Sequence, residues 1–193
     1  MNVPYRQIRA AHTEESITVY QAYDAAIATP AVAAQRFVPP FKRERMTWIK
    51  PSFLWMMYRC GYATKPGQER VLAIELTREG FAWALAQACL SHDDRDPGWA
   101  ERVRRSPVRV QWDPERGTRH QALPYRSIQI GLSGEAVRRY VDEWTMGISD
   151  ITDLVREVRA GVTSGADVSA LLPAEHPYPL PDDLAKTIGA DRP

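Results

Sequence analysis

Apolar and polar residues alternate along several short stretches of the chain, which is the pattern of half-buried β-strands. The alternation is strictest in residues 108–112 (VRVQW), while β-branched and aromatic residues are enriched in residues 17–23 (ITVYQAY). Together these features predict five strands, over residues 17–23, 46–49, 70–76, 108–112 and 126–132. The later strands follow each other closely enough for hairpin connections.

Other stretches place their apolar residues at helical spacing. Asp24 suits an N-cap before the alanine-rich residues 25–37, where Pro30 either starts or interrupts the helix. Further helices are predicted over residues 53–60, 81–89, 101–105 and 135–144, and a last amphipathic helix carries Ile148, Ile151, Val155 and Val158.

Strands and helices therefore mix without a regular strand–helix–strand rhythm, which favours an α+β domain. With 193 residues, of which 44% are hydrophobic and 25% charged, the chain fits one globular domain. Beyond Gly161 the residues are mainly Ser, Gly, Asp and Pro. We therefore expect a globular domain over residues 1–160 and a Pro- and Asp-rich extended tail over residues 161–193, lying on the domain or loose in solvent.

Composition and charge narrow the classes of function. Lys and Arg total 25 and Asp and Glu total 24, so the net charge of +1 gives no global argument for nucleic acid or membrane binding. Cys60 and Cys89 are isolated, which argues against a disulfide framework or a zinc site. Residues 1–11 are polar, and no long apolar run follows, so we expect a cytoplasmic protein.

Residues 47–59 (TWIKPSFLWMMYR) are almost entirely apolar and aromatic except where Lys50, Pro51 and Ser52 stand side by side. Pro51 disfavours helical angles at Lys50 and suits a first helical turn, so the three residues predict a strand-to-helix junction. A lysine and a hydroxyl beside the N–H groups of a first turn favour a pocket for phosphate or another anion. In the alternative interpretation, Lys50 extends to solvent and Ser52 merely caps the helix.

The basic residues before this junction suggest a second kind of site. Five cations lie within fifteen residues, interleaved with Phe37, Phe41 and Trp48. The cations are Arg36, Lys42, Arg43, Arg45 and Lys50. Such interleaving can bind single-stranded nucleic acid, with cations along the phosphates and rings stacked on bases, although a solvated charged face is the simpler alternative.

Candidate acid–base residues are dispersed. The four histidines, His12, His92, His120 and His176, each lie in a polar context, and one of them is a possible general base. His92 with Asp93 and Asp94 is weak evidence for a metal, so no metal is expected. Glu75 and Glu79 are possible paired carboxylates, although salt bridges to nearby arginines explain them more simply.

Three segments carry a close resemblance to a known family. They are RFVPPFKRERMTWIKPSFLWMMYRCGYATKPGQERVLAIELTREG at 36–80, SPVRVQWDPER at 106–116 and RSIQIGLSGEAVRRYV at 126–141. They resemble the bacterial and fungal family called domain of unknown function 4291. The resemblance extends over residues 8–144 and implies membership, without implying an activity.

A second resemblance concerns the order of elements. Strand VYQAY, a helix, strand TWIKPS entering a helix, strand VLAIEL and the late RSIQIGLSGEAV resemble the layout of the ADP-ribosyltransferase superfamily. In that superfamily the first strand bears an Arg or His that binds the dinucleotide, the second delivers a Ser or Tyr, and the late strand supplies a Glu. The resemblance implies a mixed or antiparallel sheet core with flanking helices, and NAD as a possible cofactor.

Carried over to this chain, the resemblance implies one cleft between the junction and residues 126–132. Gln21 and Tyr23 would contact ribose or nicotinamide, Lys50 and Ser52 a phosphate or ribose, and Arg126 and Gln129 the reacting phosphate or acceptor. The chain departs from the pattern, because it has Gln21 in place of Arg or His and no Glu on the late strand. Without that carboxylate, a charge developing at the ribose loses its stabilising group. RNA 2'-phosphotransferases of the wider superfamily use arginines and a histidine instead, which Arg126 matches.

The sequence thus supports three hypotheses. The leading one is a protein of ADP-ribosyltransferase type that binds NAD or an RNA-type phosphate, and that transfers ADP-ribose or acts on a phosphate if it is an enzyme. The second is a non-enzymatic nucleic-acid-binding module built on residues 36–50. The third is an interaction protein whose segment from Gly161 docks a partner. Turnover, the acceptor and the oligomeric state are left open.

Overall fold

The computed structural model describes residues 3–92 and 97–191, which form an α+β domain. Its strands are β1 (Arg9–Ala10), β2 (Ser16–Tyr23), β3 (Thr47–Ile49), β4 (Arg70–Thr77), β5 (Ala88–Leu90), β6 (Val108–Arg116), β7 (Ala122–Leu132), β8 (Thr145–Asp150) and β9 (His176–Pro177). Its α-helices are α1 (Ala25–Ala34), α2 (Phe53–Cys60), α3 (Arg78–Ala86), α4 (Trp99–Arg105), α5 (Glu135–Arg139), α6 (Thr152–Ser164) and α7 (Asp182–Ile188). A π-helical segment, Tyr140–Trp144, continues α5, and a short 3₁₀ helix, Ser169–Leu171, follows α6.

The first sheet has three antiparallel strands in the order β2-β4-β8. Strands β2 and β4 pair over their whole length, from Ser16 opposite Thr77 to Tyr23 opposite Arg70. Both faces of this sheet are covered, so apolar residues on either side of its strands are buried. One face joins the main core, and the other packs with α2 and α6 in a second cluster that includes Tyr20.

The second sheet has four strands in the order β3-β7-β6-β5, in which only the β5–β6 pair is parallel. Ile49, Ile130 and Val110 lie in register across its inner face and are all buried. The opposite face carries polar residues such as Gln111 and Gln129, which also lie in register. This alternation explains why β6 and β7 were predictable from the sequence.

The two sheets share the main core, and a backbone bridge joins an edge strand of each. Strand β2 is an edge of the first sheet and β3 is an edge of the second. The amide of Tyr20 donates to the carbonyl of Lys50 at 2.8 Å, which forms an isolated antiparallel bridge. The backbones separate on one side of this bridge, and a gap opens between residues 21–23 and residues 47–48.

The predicted junction at Lys50, Pro51 and Ser52 is confirmed. Strand β3 ends at Ile49, and Ser52 is the N-cap of α2, with its hydroxyl accepting the amide N–H of Trp55 at 3.1 Å. Gly61 ends the helix in the left-handed region, at φ 61°, where glycine has no steric cost. Asp24 likewise caps α1 as predicted, and Pro30 lies inside that helix.

Three predicted helices differ from the structure. The helix predicted over residues 81–89 ends at Ala86, and Ala88–Leu90 form strand β5. Ile148 belongs to β8 and not to the last amphipathic helix, which begins only at Thr152. The side chain of Thr152 and that of Asp150 hydrogen-bond at this point, so local polar contacts separate strand from helix. The predicted helix over residues 135–144 changes at Tyr140 from α to π geometry.

The region beyond Gly161 is folded and is not an extended tail. Helix α6 continues to Ser164, β9 pairs with β1, and α7 buries Leu184 and Ile188. Leu184 and Ile188 lie at helical spacing, but the many prolines and aspartates of the segment favoured an extended tail in the sequence-based prediction. Among the described residues, no helix has the length and apolar character needed to cross a lipid bilayer.

Candidate functional site

A cavity of about 380 Å³ lies in the gap between β2 and β3, and we call it the split cavity. Its wall comes from the end of β2, from β3 with the segment before it, from α2 and from the turn at Gly67. The wall is formed by Gln21, Ala22, Tyr23, Ile27, Pro40, Phe41, Lys42, Arg45, Met46, Thr47, Trp48, Lys50, Met56, Arg59, Gly67 and Gln68. The cavity therefore lies where the backbones of the two edge strands are joined at the Tyr20–Lys50 bridge and then diverge.

The charged side chains of the wall are all cationic. Lys42, Arg45 and Arg59 are exposed at its rim, and Lys50 is buried. Within the described part of the chain, no Asp or Glu belongs to this wall. Such a wall has a positive potential that favours an anionic ligand.

Lys50 has an unusual environment for an ammonium group. Its side chain is only 6% exposed, its Nζ donates to the carbonyl of Trp48 at 2.8 Å, and the ring centre of Trp55 lies 5.8 Å away. Loss of hydration, with the charge of Arg59 as a second cause, lowers the pKa of Lys50 to about 7. The lysine therefore does not extend to solvent, contrary to the alternative interpretation of the sequence.

Gln21 and Tyr23, both predicted as ligand contacts, belong to the wall. The Gln21 amide donates to the Thr47 hydroxyl at 2.6 Å and to the Trp48 carbonyl at 3.1 Å, and its oxygen accepts from Tyr140 at 2.7 Å. The Tyr23 hydroxyl lies 3.1 Å from the Thr47 hydroxyl. This buried network fixes the Gln21 side chain. Gln21 therefore links strands β2 and β3 where their backbones diverge.

Aromatic rings contribute to the apolar part of the wall. Phe41 packs against Phe37 with ring centres 4.5 Å apart, and Tyr23 lies edge-on to both. The ring of Trp48 lies so close to Gly131 that a Cβ there would be 2.9 Å from it. The wall therefore combines apolar side chains with cations, a composition that suits a ligand with both a ring and a phosphate.

Ser52 does not belong to the wall. Its hydroxyl donates to Glu115 at 3.0 Å while it caps α2. The amide N–H of Phe53 donates to Glu175 at 2.6 Å. The first-turn donors of Phe53 and Trp55, which the sequence suggested for a phosphate, are thus already engaged within the protein.

Glu115 and Glu175, which we call the carboxylate pair, are functional candidates that the sequence did not reveal. Burial raises the pKa of Glu115, and it raises that of Glu175 to about 8 although the Phe53 N–H opposes the shift. The negative charge of Glu115 adds to the effect at Glu175. Glu115 lies in residues 113–118 (DPERGT), a sequence typical of a turn, so its burial was not expected. Glu175 is 122 residues from its partner Phe53.

The structure does not place Arg126 or Gln129 in the wall of the split cavity. Arg126 donates to the hydroxyl of Tyr5 at 2.6 Å and to the carbonyl of Trp112 at 2.8 Å. The Gln129 amide donates to Asp113 at 2.7 Å on the polar sheet face. The cavity is therefore formed by the two early segments of the predicted cleft, without the late strand.

Residues of the predicted nucleic-acid segment divide into two groups. Lys42, Arg45 and Trp48 line the split cavity. Arg43 instead makes a bidentate ion pair with Asp142, at 2.7 and 2.8 Å, and Arg36 is exposed outside the wall. Of the other candidates, His120 stacks on Tyr62 with ring centres 5.0 Å apart, and Asp93 and Asp94 lie outside the described residues.

The comparison with family models confirms the close family resemblance seen in the sequence. The model of the family described as domain of unknown function (DUF4291) matches residues 7–178, so the chain belongs to this family. The match includes β1 to β9 and every residue of the split cavity. No curated protein matches the chain.

Proposed function

We propose that this protein binds a phosphorylated ligand of nucleotide type, either NAD or an RNA-type phosphate, in the split cavity. The observation that carries the proposal is a cavity of about 380 Å³ with four cationic side chains and, among the described residues, no acid in its wall. Charge-assisted hydrogen bonds from arginine to phosphate are among the strongest polar contacts in proteins.

In this proposal each part of the wall has a separate role. Arg45 and Arg59 contact the phosphate, because exposed guanidinium groups keep their charge and donate in a fork. Trp48 and Phe41 provide surfaces for a base or the nicotinamide. Lys50, the buried amine of the same wall, contacts the ribose beyond the phosphate.

The order of elements supports an ADP-ribosyltransferase-like architecture as the finer proposal. The cavity lies beside the two segments, VYQAY and TWIKPS, that carry the resemblance. The corresponding activity would be transfer of ADP-ribose or a reaction at a phosphate. Arg126 and Gln129, which the sequence predicts as catalytic residues, lie outside the cavity wall. Ligand turnover by the Arg126→Ala and Gln129→Ala variants therefore tests that role separately from binding.

Calorimetric titration with NAD, and with a short RNA that ends in a phosphate, tests the binding proposal. The Arg59→Ala variant should bind about 1 to 3 kcal/mol more weakly, which is the usual value of a charged hydrogen bond. Arg156→Ala is the matched control, because Arg156 pairs with Asp153 on the exposed face of α6. Absence of heat at millimolar concentrations of both ligands would contradict the proposal.

A non-enzymatic nucleic-acid-binding module is the second candidate. Its support is that Lys42 and Arg45 are exposed at the rim beside Trp48, so a strand can continue from the cavity over the surface. This candidate predicts that RNA affinity falls steeply with added salt, since several phosphates release counterions. A single-nucleotide ligand in the cavity should depend much less on salt.

A further inference from the structure

Lys50 combines three features that phosphate binding alone does not require. It is buried, its amine donates to the Trp48 carbonyl, and it belongs to the wall of a cavity. Within the described residues, no carboxylate lies at ion-pair distance from it, whereas a buried lysine ordinarily needs such a partner. An amine held in this way is a nucleophile as well as a cation.

We propose that Lys50 forms a reversible imine with the carbonyl group of a phosphorylated aldehyde bound in the split cavity. This inference rests on the proposed function, because the cations at the rim hold the phosphate of the same ligand. It names the ligand class more narrowly, as a phosphate ester that carries a free or ring-opened aldehyde. A ring-opened ribose phosphate or ADP-ribose belongs to this class.

The arrangement of the wall separates the two tasks that such a ligand requires. Arg45 and Arg59 are exposed and permanently charged, which suits the phosphate. Lys50 is the buried cation of the same wall, and its amine is less solvated. Binding the phosphate at the rim therefore holds the aldehyde at high effective concentration near the amine.

The reaction balances without a further reagent. The lone pair of neutral Nζ forms a C–N bond to the aldehyde carbon, and the carbonyl π electrons move to oxygen, which gives a carbinolamine after proton transfer. Loss of the hydroxyl as water, together with the remaining nitrogen proton, leaves the C=N bond. No oxidant is involved, and water reverses the reaction.

The pH dependence follows from the groups that face Lys50. Arg59 on α2 lowers the pKa of the amine, while Cys60 on α2 and Asp113 on β6 raise it, and loss of hydration is the largest cause of its value of about 7. A substantial fraction of Lys50 is therefore neutral at pH 7.5, unlike an exposed lysine. We expect imine formation at Lys50 to be well developed at pH 7.5 and to decline toward pH 6.

Pyridoxal 5'-phosphate is the probe that tests the inference, with pyridoxal as the same aldehyde lacking the phosphate. The protein is treated briefly with each, the imine is reduced with borohydride, and the labelled lysine is identified by peptide mass spectrometry. We expect Lys50 to be labelled at least about tenfold faster than Lys42 and Lys186, because its neutral fraction is larger. We expect pyridoxal to label Lys50 at least about tenfold more slowly than the phosphorylated probe.

Two comparisons make the test decisive. Lys42 lies in the same wall but is exposed, and Lys186 is exposed on α7, so both occur in every digest as internal controls. Labelling of Lys50 no faster than of these two lysines would overturn the inference, and equal labelling by both probes would overturn the phosphate-anchored version. The Lys50→Arg variant, which keeps the charge, should lose only the label at this position.

The result is distinguishable from failure of the proposed function. If NAD or RNA phosphate binds calorimetrically while Lys50 is not labelled, the nucleotide site stands and the imine does not. If the phosphorylated probe labels Lys50 selectively while NAD and RNA give no heat, the imine stands and the nucleotide assignment fails.

Discussion

Two polar sites lie near the start of α2, and they differ in the hydrogen-bond partners of their buried ionisable groups. In the split cavity, Lys50 donates to the Trp48 carbonyl, and the charge of Arg59 opposes its protonation while that of Asp113 favours it. In the carboxylate pair, Glu115 and Glu175 accept hydrogen bonds from Ser52, from Phe53 and from the backbone of Arg116. In both, loss of hydration favours the neutral form, and Lys50 belongs to the wall of a cavity.

The comparison indicates that the carboxylate pair is mainly structural. Two of its donors, Ser52 and the Phe53 amide, belong to the helix start itself. Lys50, only two residues before Ser52, has the Trp48 carbonyl as its acceptor and, within the described residues, no carboxylate at ion-pair distance. A group that the fold leaves with few partners is the one expected to gain an interaction from a ligand.

Of the substitutions that test this comparison, Lys50→Met should change the unfolding free energy most. The Lys50 pKa falls from 10.5 to about 7 on folding, so between these values the native state binds fewer protons than the unfolded chain. Wild-type stability therefore rises with pH in that window, and the cost of the charge is complete below pH 7. We expect the variant to be about 2 kcal/mol more stable at pH 6, with a difference that shrinks toward pH 10. Urea unfolding across this range measures it, and a difference that is constant with pH would contradict the assignment.

Glu175→Gln should give the opposite slope at the other site. The Glu175 pKa rises from 4.5 to about 8 on folding, so the native state binds more protons in that window. The unfolding free energy of the wild type therefore falls as pH rises from 5 to 8. In the variant this decrease should be about 2 kcal/mol smaller. Thermal or urea unfolding at pH 5 and pH 8.5 measures it, and an unchanged slope would show that Glu175 does not titrate as inferred.

Ser52→Ala tests whether the helix start depends on its cap. The variant removes the acceptor for the Trp55 N–H and a donor to Glu115, so we expect a loss of about 1 to 2 kcal/mol in unfolding free energy. Ser164→Ala is the matched control, because that exposed hydroxyl only donates to the Gly161 carbonyl. Equal losses in both variants would argue against a special role for Ser52.

Arg43→Ala should have the smallest effect. Its ion pair with Asp142 is exposed on both sides, so we expect a loss of no more than about 0.5 kcal/mol. A double-mutant cycle with Asp142→Ala isolates the pair. A coupling energy well above this value would mean that the segment before β3 depends on the surface ion pair.

Much of the fold could be predicted because local patterns determine it. Alternation identified β4, β6 and β7, and β-branched and aromatic residues identified β2. Asp24 and Ser52 were suited to the caps that they form. The junction at Lys50 followed from the angles that Pro51 allows. These features depend on residues close to each other in the chain.

The remaining features depend on distant contacts. Glu175 contacts the start of α2 across 122 residues, and no local pattern indicates that a carboxylate from a proline-rich segment lies there. Ile148 fits a helical apolar face in sequence, but pairing of β8 with β4 places it opposite Ile74 in a strand. The burial of Lys50 likewise arises from packing between two sheets.

The pairing of β1 with β9 brings the two ends of the described chain together. The backbone N–H of Arg6 donates to Asp191 at 3.0 Å, and the Asp191 N–H donates back to the Arg6 carbonyl at 2.9 Å. A short linker can therefore join these ends, and new termini can be opened in an exposed turn such as that near Gly67. Circular permutation would thus give a way to attach reporters at the mouth of the cavity while the order of elements in space stays the same.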